Sequence, residues 1–151
     1  MARDLHSFGR RMKQHAAKVP NNVNKVVRQL SLVVDRELVL ATPVDTGRAR
    51  SNWVVSLDQP ITSQREPYQP HPHGSKGGGA GTAEGANAQA AMEQGAGVIA
   101  RRRPGQGLHI TNNVPYLKRL DEGHSKQAPA NFVRRAILNG IAVLRRMKVI
   151  Q

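Results

Sequence analysis

At 151 residues the chain suits one domain with a modest core, and with aromatics at only 3% that core must be built from Val, Leu, Ile and Ala, which argues against an enzyme with a deep aromatic pocket. The absence of cysteine excludes disulfides, thiolate zinc sites and thiol nucleophiles, and no run approaches the roughly 18 apolar residues of a membrane span. Lys and Arg number 23 against 10 Asp and Glu, a net charge of +13, which points to a polyanionic neighbour, either nucleic acid or acidic protein surfaces.

The charged opening Met1-Ala2-Arg3-Asp4-Leu5-His6 lacks the apolar region of a signal peptide, so no secretion is expected. Leu5, Phe8, Met12 and Ala16 then recur at helical spacing among Arg and Lys. Val19-Pro20-Asn21-Asn22 interrupts. A stronger helical face follows with Val23, Val26, Val27, Leu30, Val33, Val34 and Leu38, capped by Asn21 or Asn22 and stopped by Pro43. The pattern predicts one kinked helix or two consecutive ones, stabilised by packing because the β-branched content is high.

In Thr42-Pro43-Val44-Asp45-Thr46-Gly47-Arg48-Ala49-Arg50-Ser51-Asn52-Trp53, Pro43 forbids helix continuation, Asp45 or Thr46 can cap a new short helix, and Gly47 permits a tight approach. Trp53, Val55 and Leu57 alternate as in a strand. Residues 59–82 hold Pro60, Pro67, Pro70 and Pro72, then Gly74, Gly77, Gly78, Gly79 and Gly81, which predicts a long flexible insertion that orders against a neighbouring subunit.

Residues 83–100 form a weak helical pattern with Ala88, Ala91, Gly95 and Val98 on one smooth face, closed by Arg101-Arg102-Arg103-Pro104-Gly105. Leu108-His109-Ile110-Thr111 reads as a strand and Asn112-Asn113 as a turn. Pro115 opens a short helix through Leu120, with Gly123 as its left-handed cap. Pro129 opens the last helix. Its predicted apolar face holds Phe132, Val133, Ala136, Ile137, Gly140, Val143, Leu144 and Met147, opposite Arg134, Arg135, Asn139, Arg145 and Arg146.

Few residues group as a reaction centre would require. His71-Pro72-His73 has no further ligand nearby, and a divalent ion needs three or four in fixed geometry. The glycine-rich stretch from Gly74 to Gly85 has Lys76 before its glycines rather than after them, unlike a phosphate loop. Asp121 and Glu122 sit beside His124 and Ser125, but adjacent residues at a helix end point apart, so they read as partners of Lys126 or an Arg. Arg101, Arg102 and Arg103 form one basic cluster, and Arg134, Arg135, Arg145, Arg146 and Lys148 another. Without stacking aromatics or a groove-reading motif nearby, any DNA they touch is touched as a polyanion. Arg48 and Arg50 read as structural or interface charges, able to reach Asp35, Glu37, Asp45 or a neighbour's Asp121.

The run Pro43-Val44-Asp45-Thr46-Gly47-Arg48-x-Arg50-x-x-Trp53 resembles the tail-completion proteins of long-tailed bacteriophages, the minor tail protein Z-like family. A second block resembles that family's second motif: Thr111-Asn112-Asn113-Val114-Pro115-Tyr116, then Leu120-Asp121-Glu122-Gly123-His124-Ser125-Lys126-Gln127-Ala128-Pro129. The resemblance covers roughly residues 22–58 and 83–140. It implies a compact α+β domain with a long N-terminal helix, a small, mostly antiparallel sheet, and helices packed on one face. It further implies a structural virion protein without cofactor or catalysis, assembled as a ring, usually sixfold, at the neck of the tail around the DNA channel. Partners would be further copies and the neighbouring neck, tail-terminator or tail-tube proteins. The interface residues it suggests are Asp45, Thr46, Gly47, Arg48, Arg50, Trp53, Tyr116, Glu122, Gly123, Ser125, Gln127 and Pro129. Arg101, Arg102, Arg103, Arg145 and Arg146 are the candidates for DNA-backbone contact. A tail terminator is the alternative within that class, and a non-specific DNA-binding protein the alternative outside it.

Overall fold

The structure, a computed structural model, describes residues 2–44, 47–70 and 83–147. Its elements are α1 (Ala2–Ala41), α2 (Arg48–Ser51), β1 (Val54–Leu57), α3 (Ala83–Ala100), β2 (Leu108–Thr111), α4 (Leu117–Asp121) and α5 (Phe132–Arg146). The fold is α+β, with a long N-terminal helix packed directly on the C-terminal one and one small antiparallel sheet packed on α3.

α1 runs unbroken through Pro20, so Asn21 and Asn22 lie inside the helix rather than capping a second one. Proline removes one backbone bond, to the carbonyl of Ala16. Both residues are exposed, so water can take up that carbonyl. The helix ends where expected. Thr42 Oγ1 donates to the Leu38 carbonyl at 2.6 Å and accepts from Trp53 Nε1 at 2.7 Å. Arg50 donates to the carbonyls of Thr42 and Leu40 at 3.0 and 3.4 Å, satisfying groups that the helix end leaves open.

α3 and α5 both run antiparallel to the second half of α1. Gly95 of α3 lies on Asp35 and Arg102, just beyond α3, lies on Asn24 and Arg28. Gly140 of α5 lies on Val34, where a Cβ would meet Val34 Cγ2 at 2.7 Å and its Cα at 3.2 Å. The core is Leu38, Val39, Trp53, Ala88, Ala91 and Ala136, with Val34, Met92, Ile110, Leu117 and Val133 packed against it. α3 meets α1 through a small-residue face as expected, although Ile99 rather than Val98 is its last buried residue.

β1 pairs with β2 in the register Val54↔Thr111 to Leu57↔Leu108. The outer edge of β1 is closed by a side chain. Gln94 accepts from Val55 N at 3.1 Å and donates to Val55 O at 2.9 Å, so its amide stands where a third strand would.

Three expectations change. The first twelve residues of the predicted insertion, 59–70, are held to the body. Asn52 bonds both the N–H and the C=O of Arg65 at 2.8 Å, and Asn87 does the same for Gln69 at 2.7 Å. Residues 71–82, with His71, His73, Lys76 and most of the glycines, lie outside the described residues. Secondly, α4 begins at Leu117 and α5 at Phe132, not at Pro115 and Pro129. Asn131 takes a left-handed φ of 60° immediately before α5, which separates the Pro129 turn from the helix. Thirdly, the buried face of α5 is narrower than its apolar pattern. Phe132, Ala136 and Gly140 are buried, while Ile137, Val143 and Met147 are exposed along with Leu138.

Candidate subunit interface

The chain turns out of α1 at Pro43 and re-enters a helix through Gly47, whose φ of 78° is left-handed and whose carbonyl accepts from Ser51 N at 3.0 Å. Asp45 and Thr46, the predicted caps, lie outside the described residues. Across from this turn, α4 ends at a left-handed glycine. Gly123 N donates to the Leu120 carbonyl and His124 N to the Arg119 carbonyl, both at 3.2 Å, with φ of 96° at Gly123. That is the paired bonding of a Schellman motif.

Asp121 then joins α4 to α5. Its carbonyl accepts from Asn131 N at 2.6 Å and its Oδ1 from Val133 N at 2.9 Å. Asn131, the N-cap residue of α5, makes no side-chain cap bond, and the Asp121 carboxylate supplies that acceptor instead, where the helix dipole favours negative charge. The expected pairing of Asp121 with Lys126 or an Arg is replaced by this cap, and Glu122 pairs weakly with Lys118 at 3.9 Å. Past the turn, Ser125 Oγ accepts from Gln127 N at 3.1 Å, and Gln127 Oε1 accepts from Val44 N at 2.9 Å. A second tie runs from Asn112 Nδ2 to the Ala49 carbonyl at 2.8 Å. These two bonds bring the Pro43–Trp53 block and the Thr111–Pro129 block together.

Where the blocks meet there is a cavity of about 230 Å³, open to the surface. Pro43, Val44 and Ala49 line it from the first block, and Tyr116, Leu120, Ser125 and Gln127 from the second. Ser125 and Gln127 are engaged in the internal bonds just described, so what the cavity offers is mainly apolar contact. A second concavity of about 280 Å³ shares Gln127 with the first and is bounded also by Leu40, Pro129, Phe132 and Arg135 among others.

The remaining predicted residues separate by burial. Trp53 is a core residue and not a contact surface, because its ring lies in the main cluster and its N–H is used by Thr42. Arg50 is largely buried and pairs with Glu84 at 3.5 Å rather than with Asp35 or Glu37. Burial holds its guanidinium below the usual arginine range, with the Glu84 charge acting in the opposite direction. Arg48 is more open and reaches Gln64 at 3.3 Å and Glu66 at 3.5 Å, both on the 59–70 segment.

Of the basic clusters, Arg101, Arg103, Arg145 and Arg146 are exposed. Arg102 is not, at 7% exposure, and its role is corrected accordingly. Its guanidinium bonds Asn24 Oδ1 and its carbonyl accepts from Arg28, so it fastens the end of α3 to α1 and is out of reach of a phosphate. Lys148 lies outside the described residues. The polar residues that tie the 59–70 segment and the β1 edge to the body but escape a sequence reading are Asn52, Asn87 and Gln94. The last two sit seven apart beside the Ala91 face of α3, the only trace of their inward direction in the sequence.

Among the described residues no three His, Cys, Asp or Glu side chains gather as a metal site, and no helix is long and apolar enough to cross a membrane. Comparison with protein-family models, curated proteins and solved structures finds no match to this chain.

Proposed function

We propose that this protein is a structural subunit of a phage neck, a tail-completion protein that joins tail to head as one member of a ring around the DNA channel. One observation carries the reading. The two sequence blocks that resemble the tail-completion family are far apart in the chain, yet they meet edge to edge, clasped by the Gln127–Val44 bond around an open apolar cavity. Among the described residues, Ser125, Gln127 and Asn112 use their side chains in the bonds that build that concavity. Such a concavity is fit to receive a side chain of a neighbouring subunit, and a head-to-tail contact of that kind repeated about an axis closes a ring.

The test is to inactivate the gene in the phage that carries it and image the lysate by negative-stain microscopy. Full heads beside detached tails of normal length are expected. Tails of abnormal length would assign the protein to tail termination instead. Intact joined particles would overturn the neck reading and leave the basic surface as that of a non-specific DNA binder.

A further inference from the structure

We propose that the N-terminal half of α1 is a docking arm for an acidic, helical protein partner, an inference independent of the ring. α3 and α5 both stop level with the middle of α1. Arg102 meets Asn24 and Arg28, and Gly140 meets Val34, so Arg146, six residues further along the antiparallel α5, comes level with Arg28. Residues 6–21 of α1 project beyond them, a rod of roughly 25 Å at 1.5 Å per residue. Every described side chain on it is exposed except the half-buried Ser7.

The rod is not a bland solvated helix. Phe8, Met12, Val19 and Val23 are each more than half exposed and recur at steps of four and seven, forming one stripe. Extended inward at steps of four, three and four, the stripe becomes Val27, Leu30 and Val34, the last of which α5 covers. The exposed stripe is therefore the continuation of a seam that already holds a helix, left open where α5 ends. It is narrow, the width of a coiled-coil seam rather than the broad apolar face that an interfacial membrane helix sinks into lipid.

Charge identifies the occupant. No Asp or Glu occurs between Asp4 and Asp35, while Arg10, Arg11, Lys13, Lys18 and Lys25 lie on or beside the arm. Exposed Arg101, Arg103, Arg145 and Arg146 gather at its base, at the ends of α3 and α5. A second copy of the arm would lay basic flank on basic flank, and a DNA backbone has no use for the apolar stripe. An amphipathic helix with acidic flanks satisfies both the seam and the charge.

The probe is a dye-labelled synthetic peptide of about three heptads with Leu at the seam positions and Glu beside them, titrated with the full-length protein and followed by fluorescence anisotropy. Binding is expected, weakened about tenfold or more by the pair Met12→Asp and Val19→Asp, and by changing the peptide's Glu to Lys. Circular dichroism should show the paired variant folded, since neither side chain is packed. No binding of the acidic peptide, or equal binding by the variant or by the Lys peptide, overturns the proposal. So does a wild-type protein that ignores the peptide but takes up phosphatidylglycerol vesicles or duplex DNA through the stripe, or that sediments as a dimer lost in the variant.

Discussion

Asp35 is 2% exposed in the packing between α1 and α3, its carboxylate wedged against the bare Cα of Gly95 and its Oδ1 without a hydrogen-bond partner. Burial pushes its carboxyl up from 3.8 to about 7, because a charge there gives up water and gains no counter-ion. Burial also raises the Tyr68 hydroxyl, against the pull of Arg65 and with a smaller push from the Asp35 carboxylate. Well below pH 4, Asp35 is neutral in both folded and unfolded chains and costs nothing. Between pH 4 and 7 the unfolded chain ionises first, so stability falls as pH rises, and above pH 7 the loss levels off. Its full size is on the order of 4 kcal/mol at most. Asp35→Asn should therefore come close to wild type at pH 3 and exceed it at pH 8, with a urea midpoint that depends less on pH. Equal midpoints for the two proteins at pH 8 would contradict this account of the buried acid.

Helix ends are where the elements declare themselves, and they divide into ends that local chemistry reveals and ends that it does not. Pro43 as the stop of α1 and Gly123 as the left-handed cap of α4 are legible because proline and glycine act through their own backbones. The start of α5 is not. Its cap comes from Asp121, eleven residues before Phe132 and on another helix, so the nearer Pro129 misleads. The same distance hides Gln127 from Val44, 83 residues away, and the Asn52 and Asn87 bonds that hold the proline-rich 59–70 segment to the body. Composition alone makes that segment look free. Pro20 errs in the other direction, since a rule about helix interiors loses its force where the helix is wet on all sides. Asp121→Ala should cost about 1 kcal/mol by freeing the Val133 N–H, and Asp121→Asn less, because one acceptor oxygen remains. Urea unfolding with an unchanged slope would measure both. An alanine variant as stable as wild type would show that the cap contributes nothing.

Taken whole, the molecule is two bodies of unequal stability on one helix. From Asn24 onward α1 is bound by Arg102, Asp35's neighbours, Val34's contact with Gly140 and the Leu38–Val39 core, so its backbone opens only when the domain does. Before Val23 none of the helix's described side chains is buried. An isolated helix of that length is marginal in water even with good formers, and this one includes Gly9 and Pro20. Local opening of the arm should thus cost far less than global unfolding. Brief trypsin treatment should cut first after Arg10, Arg11, Lys13 and Lys18, while the bonds after Arg28 and Arg36 survive until the body unfolds. Mass spectrometry would read this as an early core fragment beginning at Arg11, Met12, Gln14 or Val19. If the acidic helix docks as proposed, saturating peptide should slow those early cuts and leave the later ones unchanged. Early cleavage after Arg36 would instead mean that the packed half of α1 opens as readily as the arm, and that the division between them is not one of stability.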